Sequence, residues 1–370
     1  MILKDLERTA FQLLLNGDNM KKVMIAMSGG VDSAVTAHLI KNAGFDAIGA
    51  TVSMFDRVDP RFASNPSNDI DDAKKVAQIL GIEHYVYDYS KEFANTVIDD
   101  FISSYLSGST PNPCIVCNKK IKFGKLLEAA NDLGCSHIAS GHYAIIEKDT
   151  NGRFLLKKGK DTKKDQAYVL WSLSQHQLGH TLLPLGEFSK DEVRKIAEEM
   201  GFVNSRKKES QDICFIPDGD YVSFLSRYTD MDFPCGNYID TEGNILGKHM
   251  GAVRYTTGQR KGLGIALGQP MYVCGKDMKA NTVTLGLESN LFSTSLNASN
   301  INFIAFEKLN SPIKLEAKIR YSHNTASATL EQTSENSFHL EFDSPQRAIT
   351  KGQSVVLYDG DYVLGGGIID

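Results

Sequence analysis

No apolar run in this chain is long enough to span a bilayer, and its shortages elsewhere exclude as much. Six cysteines, unevenly spaced over 370 residues, are too few for the disulfide scaffold of small secreted domains and point to a reducing cytoplasm. No excess of positive charge is present: 40 Lys and Arg against 45 Asp and Glu leave a formal net charge of -5, which opposes non-specific attraction to nucleic acid. Basic residues nonetheless cluster at 117–125, 157–164, 205–208 and 254–262. Each cluster alone fits a solvated face, but four of them allow a polyanion to track across one surface. With 42% hydrophobic and 23% charged residues the composition is that of a folded globular chain, long enough for about two or three domains.

The first half alternates strand-like and helix-like segments, the pattern of a doubly wound parallel α/β sheet. Strands are expected at KKVMIAM (21–27), DAIGATVSM (46–54), EHYVYDYS (83–90) and SHIASGHYA (136–144), with helices beginning at Val31, Asp69, Lys91 and Asn118. Gly44, Gly81, Gly108 and Gly134 stand where left-handed C-caps belong. Two further helices are expected over 165–182 and over 189–201, the latter capped by Ser189 and closed by Gly201. Beyond about Tyr228 glycine becomes frequent and short alternating runs replace helices, so two small β domains should follow, the last a β-barrel. The expected division is an amphipathic N-terminal helix at 1–20, a catalytic domain at 21–224, a central β domain at 225–288 and a barrel at 297–370, with the serine-rich stretch near 290–300 as separator.

Ser28-Gly29-Gly30, between an apolar strand and a helix at Asp32, gathers backbone N–H groups at a helix N-terminus, which suits a phosphate. Two glycines alone also fit a plain tight turn; the full SGGVDS is more specific, and no Gly-Lys-Ser/Thr follows to make it a Walker loop. In TPNPCIVCNKKIKF, two prolines precede Cys114 and Cys117 and a basic helix is expected after them, which should lower a thiol pKa. A zinc site would need a second close pair, and Cys135, Cys214, Cys235 and Cys274 are isolated. Read alone, Cys214 fits a buried core cysteine, and His142 fits equally a packed strand end or a substrate contact.

SGGVDS resembles the PP-loop of the ATP pyrophosphatases, whose fold is adenine nucleotide alpha-hydrolase-like. Together with TPNPCIVCNKKIKFG, ASGHYA, KDQAYVL, ICFI, GQRKGLGI and GQSVVLYDGDYVLGGGII, in that order, it makes the chain from Lys21 onward similar to the tRNA-uridine 2-sulfurtransferases, or tRNA 2-thiouridylases. The resemblance implies ATP-dependent 2-thiolation of the wobble uridine of tRNA, giving AMP and pyrophosphate, with Mg2+ accompanying ATP. It implies ATP contacts at Ala26, Met27, Ser28, Gly29, Gly30, Val31, Asp32, Ser33, Val52 and Gly141. Cys117 takes the place of the family's nucleophile or resolving thiol, and Cys214 that of the persulfide carrier. Contacts to tRNA map to Asn112, Pro113, Cys114, His142, Lys164, Asp165, Gln166, Arg320, Tyr321 and Gln353. The implied partners are the tRNA and a persulfide sulfur donor or sulfur-relay protein, with no membrane. Cys114 replaces an aspartate found in some relatives, and Cys114, Cys117 and Cys214 are also candidate ligands of an iron-sulfur cluster of the 4Fe-4S type. A competing reading keeps the PP-loop but uses ammonia on an adenylated carboxylate or purine carbonyl, as amidating ligases do, and needs no paired thiols.

Overall fold

The computed structural model describes residues 21–55, 59, 61–62, 69–205 and 213–370; the expected N-terminal helix at 1–20 and most of the basic cluster at 205–208 lie outside them. The five-stranded parallel sheet has the order β3-β2-β1-β4-β7. Its strands are β1 (Lys22–Ala26), β2 (Asp46–Ser53), β3 (Glu83–Asp88), β4 (His137–Ala139) and β7 (Thr181–Leu182). The period of two along β1 sends Val23 and Ile25 into one core and Met24 into another, so the strand is buried on both faces. The helices Val31–Asn42, Asp69–Leu80 and Lys190–Glu199 cover the first face, and the 113–132 helix covers the second. Gly44, Gly81, Gly108, Gly134 and Gly201 all take positive φ at helix ends, the conformation expected of them.

The order of strands reverses direction between β1 and β4, the switch point beyond whose carboxyl ends a doubly wound sheet has its crevice. That crevice receives Ser28–Ser33 from one side and Ser140–Tyr143 from the other.

Three expectations change. The helix over 165–182 is broken into a 3-10 turn (Ala167–Leu170), a short helix (Gln175–Gly179) and the edge strand β7. The carbonyls of Trp171 and Leu173 accept from the Asn302 amide at 2.8 and 3.0 Å, and Ser174 restarts the chain with a capping box through Gln177. The helix expected from Asn118 begins at Pro113, with Asn112 as N-cap accepting from the Cys114 N–H, and runs through a π-helical stretch at Asn118–Lys125. Most of the serine-rich stretch near 290–300 is no loop: it belongs to β12 (Phe292–Phe303), whose alternate residues Leu296 and Ala298 are buried. Polar composition concealed a strand whose other face meets solvent.

The central domain is a four-stranded sheet, β10-β11-β8-β9, formed by β8 (Gly236–Ile239), β9 (Ile245–His249), β10 (Tyr272–Asp277) and β11 (Thr282–Gly286). In the last domain β12, β13 (Ile313–Lys318), β14 (Ala326–Ser334), β15 (Ser337–Arg347), β16 (Ser354–Asp359) and β17 (Tyr362–Ile369) run antiparallel, and the β12–β17 pairing closes a six-stranded barrel. A hairpin from the first domain, β5 (Ala144–Lys148) and β6 (Phe154–Lys158), extends this sheet by pairing β6 with β17. At its turn Arg153 donates to the carbonyls of Ile304 at 2.6 Å and Phe306 at 2.7 Å, so barrel and first domain are joined by backbone and side chain together.

Gly366 on β17 is pressed against this junction: a β-carbon there would lie 2.6 Å from the Val355 carbonyl and 2.8 Å from the Trp171 ring. Gly366→Ala should therefore lower unfolding stability by about 1–3 kcal/mol. Gly275→Ala, where nothing lies within 4 Å, should leave the denaturant midpoint unchanged.

Candidate active site

Glycine at position 29 is required twice over. Its φ is +74°, and a β-carbon would stand 2.3 Å from the Asp69 carbonyl oxygen. Gly30, extended at φ -90° and ψ 165°, then opens the helix Val31–Asn42, and no side chain among the described residues caps it. The loop is braced from within: the Ser28 N–H donates to Ser33 Oγ at 3.2 Å, and Ser33 Oγ donates to the Gly30 carbonyl at 2.9 Å. The Asn204 amide, buried, donates to the Gly29 carbonyl at 3.1 Å. A preshaped turn with helix amides beyond it can take an anion without reorganising.

Asp32 carries the loop's charge. The ammonium of Lys190 lies 2.7 and 2.8 Å from its two carboxylate oxygens, and the Tyr143 hydroxyl donates to it at 2.7 Å. Gly141 permits this approach, since a β-carbon would fall 3.0 Å from Asp32. Neither Lys190 nor Tyr143 was expected from the sequence; a lysine after a serine N-cap reads as solvated, and only the fold turns it inward.

One cleft of about 500 Å³ unites the motifs. Ala26, Met27, Ser28, Asp32, Ser33, Val52 and Gly141 of the expected nucleotide contacts line it, as do Pro113, Cys114, Cys117, His142, Gln166 and Cys214. Gly29, Gly30 and Val31 shape the loop without lining the cleft, and Asn112 acts as helix cap.

Burial decides the state of the thiols. Cys117 lies one turn into the helix rather than at its open amides, with its sulfur 3.9 Å from the Met54 thioether. Desolvation pushes its pKa up to about 11, against the opposing field of Lys122. The lowered thiol pKa expected from the sequence is thus reversed, because burial outweighs the nearby lysine, and the helix, starting at Pro113, carries Cys114 in its first turn. Cys214 is exposed to solvent at the cleft, yet the protein around it, with the Cys117 and Cys114 sulfurs adding, also drives its thiol upward. Among the described residues no three His, Cys, Asp or Glu side chains are arranged to hold a single metal ion, while Cys114, Cys117 and Cys214 line the same cleft and lie near enough for the first two sulfurs to act on the third.

The remaining expected contacts lie apart from the cleft, where the three domains meet. Arg320 donates to the Thr257 carbonyl of the central domain at 3.1 Å, to the Ala348 carbonyl at 2.7 Å and to Thr350 Oγ1. Tyr321 donates to the Asp165 carbonyl at 3.0 Å, while the Asp165 carboxylate accepts from the Gly159 and Ala167 N–H groups, both at 3.1 Å. Lys164 follows in the same turn, its N–H donating to the Asp161 carbonyl at 3.0 Å. Gln353 donates to the Thr110 carbonyl at 2.7 Å and so fixes the loop that leads into the cysteine helix.

His142 is buried with Nδ1 2.8 Å from Ser140 Oγ, and desolvation, helped by Lys122, takes its pKa from 6.5 down to about 3. A depressed histidine favours the fold above the unfolded value and loses that contribution as pH falls from 6.5 towards 3. His142→Gln should accordingly flatten the loss of stability between those pH values in denaturant titrations; an unchanged slope would contradict the neutral, buried ring.

Three family models match in sequence along the chain: the tRNA methyl transferase HUP domain at 21–218, the tRNA methyl transferase PRC-barrel domain at 222–287 and the aminomethyltransferase beta-barrel domain at 293–369. The solved NMN synthetase from Francisella tularensis overlaps at a TM-score of 0.37 and 16% identity, covering 62% of this chain and 85% of that one, a level that carries no argument. Curated relatives are much nearer. The tRNA-specific 2-thiouridylase MnmA of Clostridioides difficile strain 630 is 49% identical over 95% of this chain and 98% of its own length. That of Halothermothrix orenii is 48% identical over 95% and 99%, and that of Acetivibrio thermocellus 48% over 94% and 99%. Near-half identity along all three domains, around a cleft that joins SGGVDS to two cysteines, makes this chain a member of the tRNA-specific 2-thiouridylase family.

Proposed function

We propose that the protein thiolates the wobble uridine of tRNA at C2, using ATP and a cysteine-borne sulfur and releasing AMP and pyrophosphate. The observation that carries this reading is the single cleft in which the SGGVDS loop faces Cys117 and Cys214. A loop for pyrophosphate and a pair of thiols have no common use in amidation, whereas sulfur insertion needs both.

The uridine C2 carbonyl is a poor electrophile without a leaving group. Transfer of AMP from ATP to its oxygen makes that oxygen a leaving group, with pyrophosphate departing onto the amides beyond Gly30. Mg2+ bound to ATP would supply positive charge to offset that building on the pyrophosphate. The outer sulfur of a Cys214 persulfide then adds at C2, and AMP leaves with the C2–O bond electrons. Cys117 attacks the Cys214 sulfur, the S–S bond to the transferred sulfur breaks, and thiouridine is released. The transferred sulfur is reduced and the two thiols are oxidised to a disulfide, which an external dithiol reductant reopens. Because burial keeps the Cys117 thiol protonated at neutral pH, its proton has to leave during the attack, and Lys122 is the cationic side chain that favours the thiolate.

The residues at the domain junction suit the tRNA. Tyr321 is exposed beside Asp165 and Lys318, and Gln353 touches the loop carrying Asn112 and Pro113, so RNA lying there would reach the cleft mouth. The sulfur arrives on a persulfide donor or relay protein in the cytoplasm. Among the described residues no helix is long and apolar enough to cross a membrane.

Cys117→Ser and Cys214→Ser should each lower thiolation, measured as replacement of one oxygen by sulfur in tRNA mass spectra, by about a thousandfold or more. AMP and pyrophosphate formation with tRNA should continue. Thiolation at the wild-type rate in either variant would contradict the roles given to the two cysteines, whereas ATP turnover by the wild-type protein with no sulfur gained by tRNA would favour the amidating alternative. Gly29→Ala, strained at φ +74° and in collision with Asp69, should abolish ATP binding in calorimetric titration.

A further inference from the structure

Lys190 has no part in the chemistry above, yet it is the buried ammonium that meets the nucleotide loop. It is 5% exposed at the first turn of the helix Lys190–Glu199. Its N–H is held by the Asp161 carboxylate at 3.0 Å, so the backbone fixes where the side chain starts. Its Nζ spans both oxygens of Asp32 at 2.7 and 2.8 Å and lies 5.7 Å from the centre of the Tyr143 ring. Tyr143 is itself tied to the cleft: its N–H donates to Gln166 Oε1 at 3.0 Å, and its hydroxyl donates to Asp32 Oδ1, an oxygen that Lys190 also meets. A lysine desolvated to this degree is unfavourable unless its partner is fixed.

The arrangement answers an electrostatic problem posed by the loop. Asp32 occupies the first turn of the helix that starts at the cleft, where it and Ser33 line the wall. A carboxylate there complements the helix dipole while the site is empty, and repels a triphosphate that comes to the helix's leading amides. We infer that Lys190 is a positioning residue of the ATP site, neutralising Asp32 and, with Tyr143, holding its carboxylate so that the loop accepts a polyanion. The inference rests on reading the loop as an ATP site. It assigns a role to a residue from outside the SGGVDS motif, supplied 158 positions along the chain.

Titration of the intact chain with MgATP, alongside ATP-dependent AMP formation with tRNA, tests it. Lys190→Met should weaken ATP binding and raise KM for ATP by about tenfold or more, with a smaller change in kcat at saturating ATP. Lys190→Arg, which keeps the charge, should stay within about threefold of wild type. The double variant Asp32→Asn with Lys190→Met should bind ATP more tightly than Lys190→Met alone, because no unpaired carboxylate remains. A folded Lys190→Met protein with wild-type ATP affinity, or a double variant that binds no better than the single one, overturns the assignment. If Lys190→Met does not fold, the double variant is compared with wild type, and a folded double variant that fails to bind ATP also overturns it. A wild-type protein that does not bind MgATP would overturn the function reading itself, which keeps the two failures apart.

Discussion

The site depends on a close approach of backbones that only glycine allows. At the carboxyl ends of β1 and β4, Gly29 comes against Asp69 and Gly141 against Asp32, at distances a β-carbon would fill. Because those two contacts close, the helix Val31–Asn42 starts at the crevice and Asp32 lands between Lys190 and Tyr143. The anion site is therefore a property of the sheet's switch point, stabilised by packing on both faces, and not of a mobile loop.

The same crevice receives the sulfur chemistry from a second direction. The barrel sets that geometry: Thr110 exchanges hydrogen bonds with the barrel turn, donating to the Lys351 carbonyl at 2.8 Å and accepting from Gln353 at 2.7 Å. Three residues further on the helix with Cys114 and Cys117 begins. Desolvation raises the Cys117 pKa, and in the proposed mechanism that state would protect the thiol from idle oxidation until a persulfide is presented. Placing the thiol one turn below the helix start, against Met54, gives this restraint without removing it from the cleft.

Much of this was legible in the residues. Glycines at helix ends, the strand–SGGVDS–helix succession and the two β domains all follow from local pattern, because they depend on backbone conformation and on alternation of burial. What escaped was set by long-range contacts. The 165–182 segment has helical composition, but Asn302, more than a hundred residues away, takes the carbonyls that would continue the helix. The Cys117 pKa inverted because lysines next in sequence count for less than desolvation in space. Lys190 and Tyr143 gave no local signal at all, since an inward-facing lysine is defined only by the carboxylate it meets.

In the proposed mechanism sulfur passes from Cys214 to the adenylated uridine while Cys117 closes a disulfide with Cys214. A single turnover with persulfurated protein, ATP and tRNA, without reductant, followed by peptide mass spectrometry of the acid-quenched protein, addresses it directly. One Cys117–Cys214 disulfide formed for each thiouridine is the predicted result, and full conversion of the tRNA with both thiols still free would contradict the account.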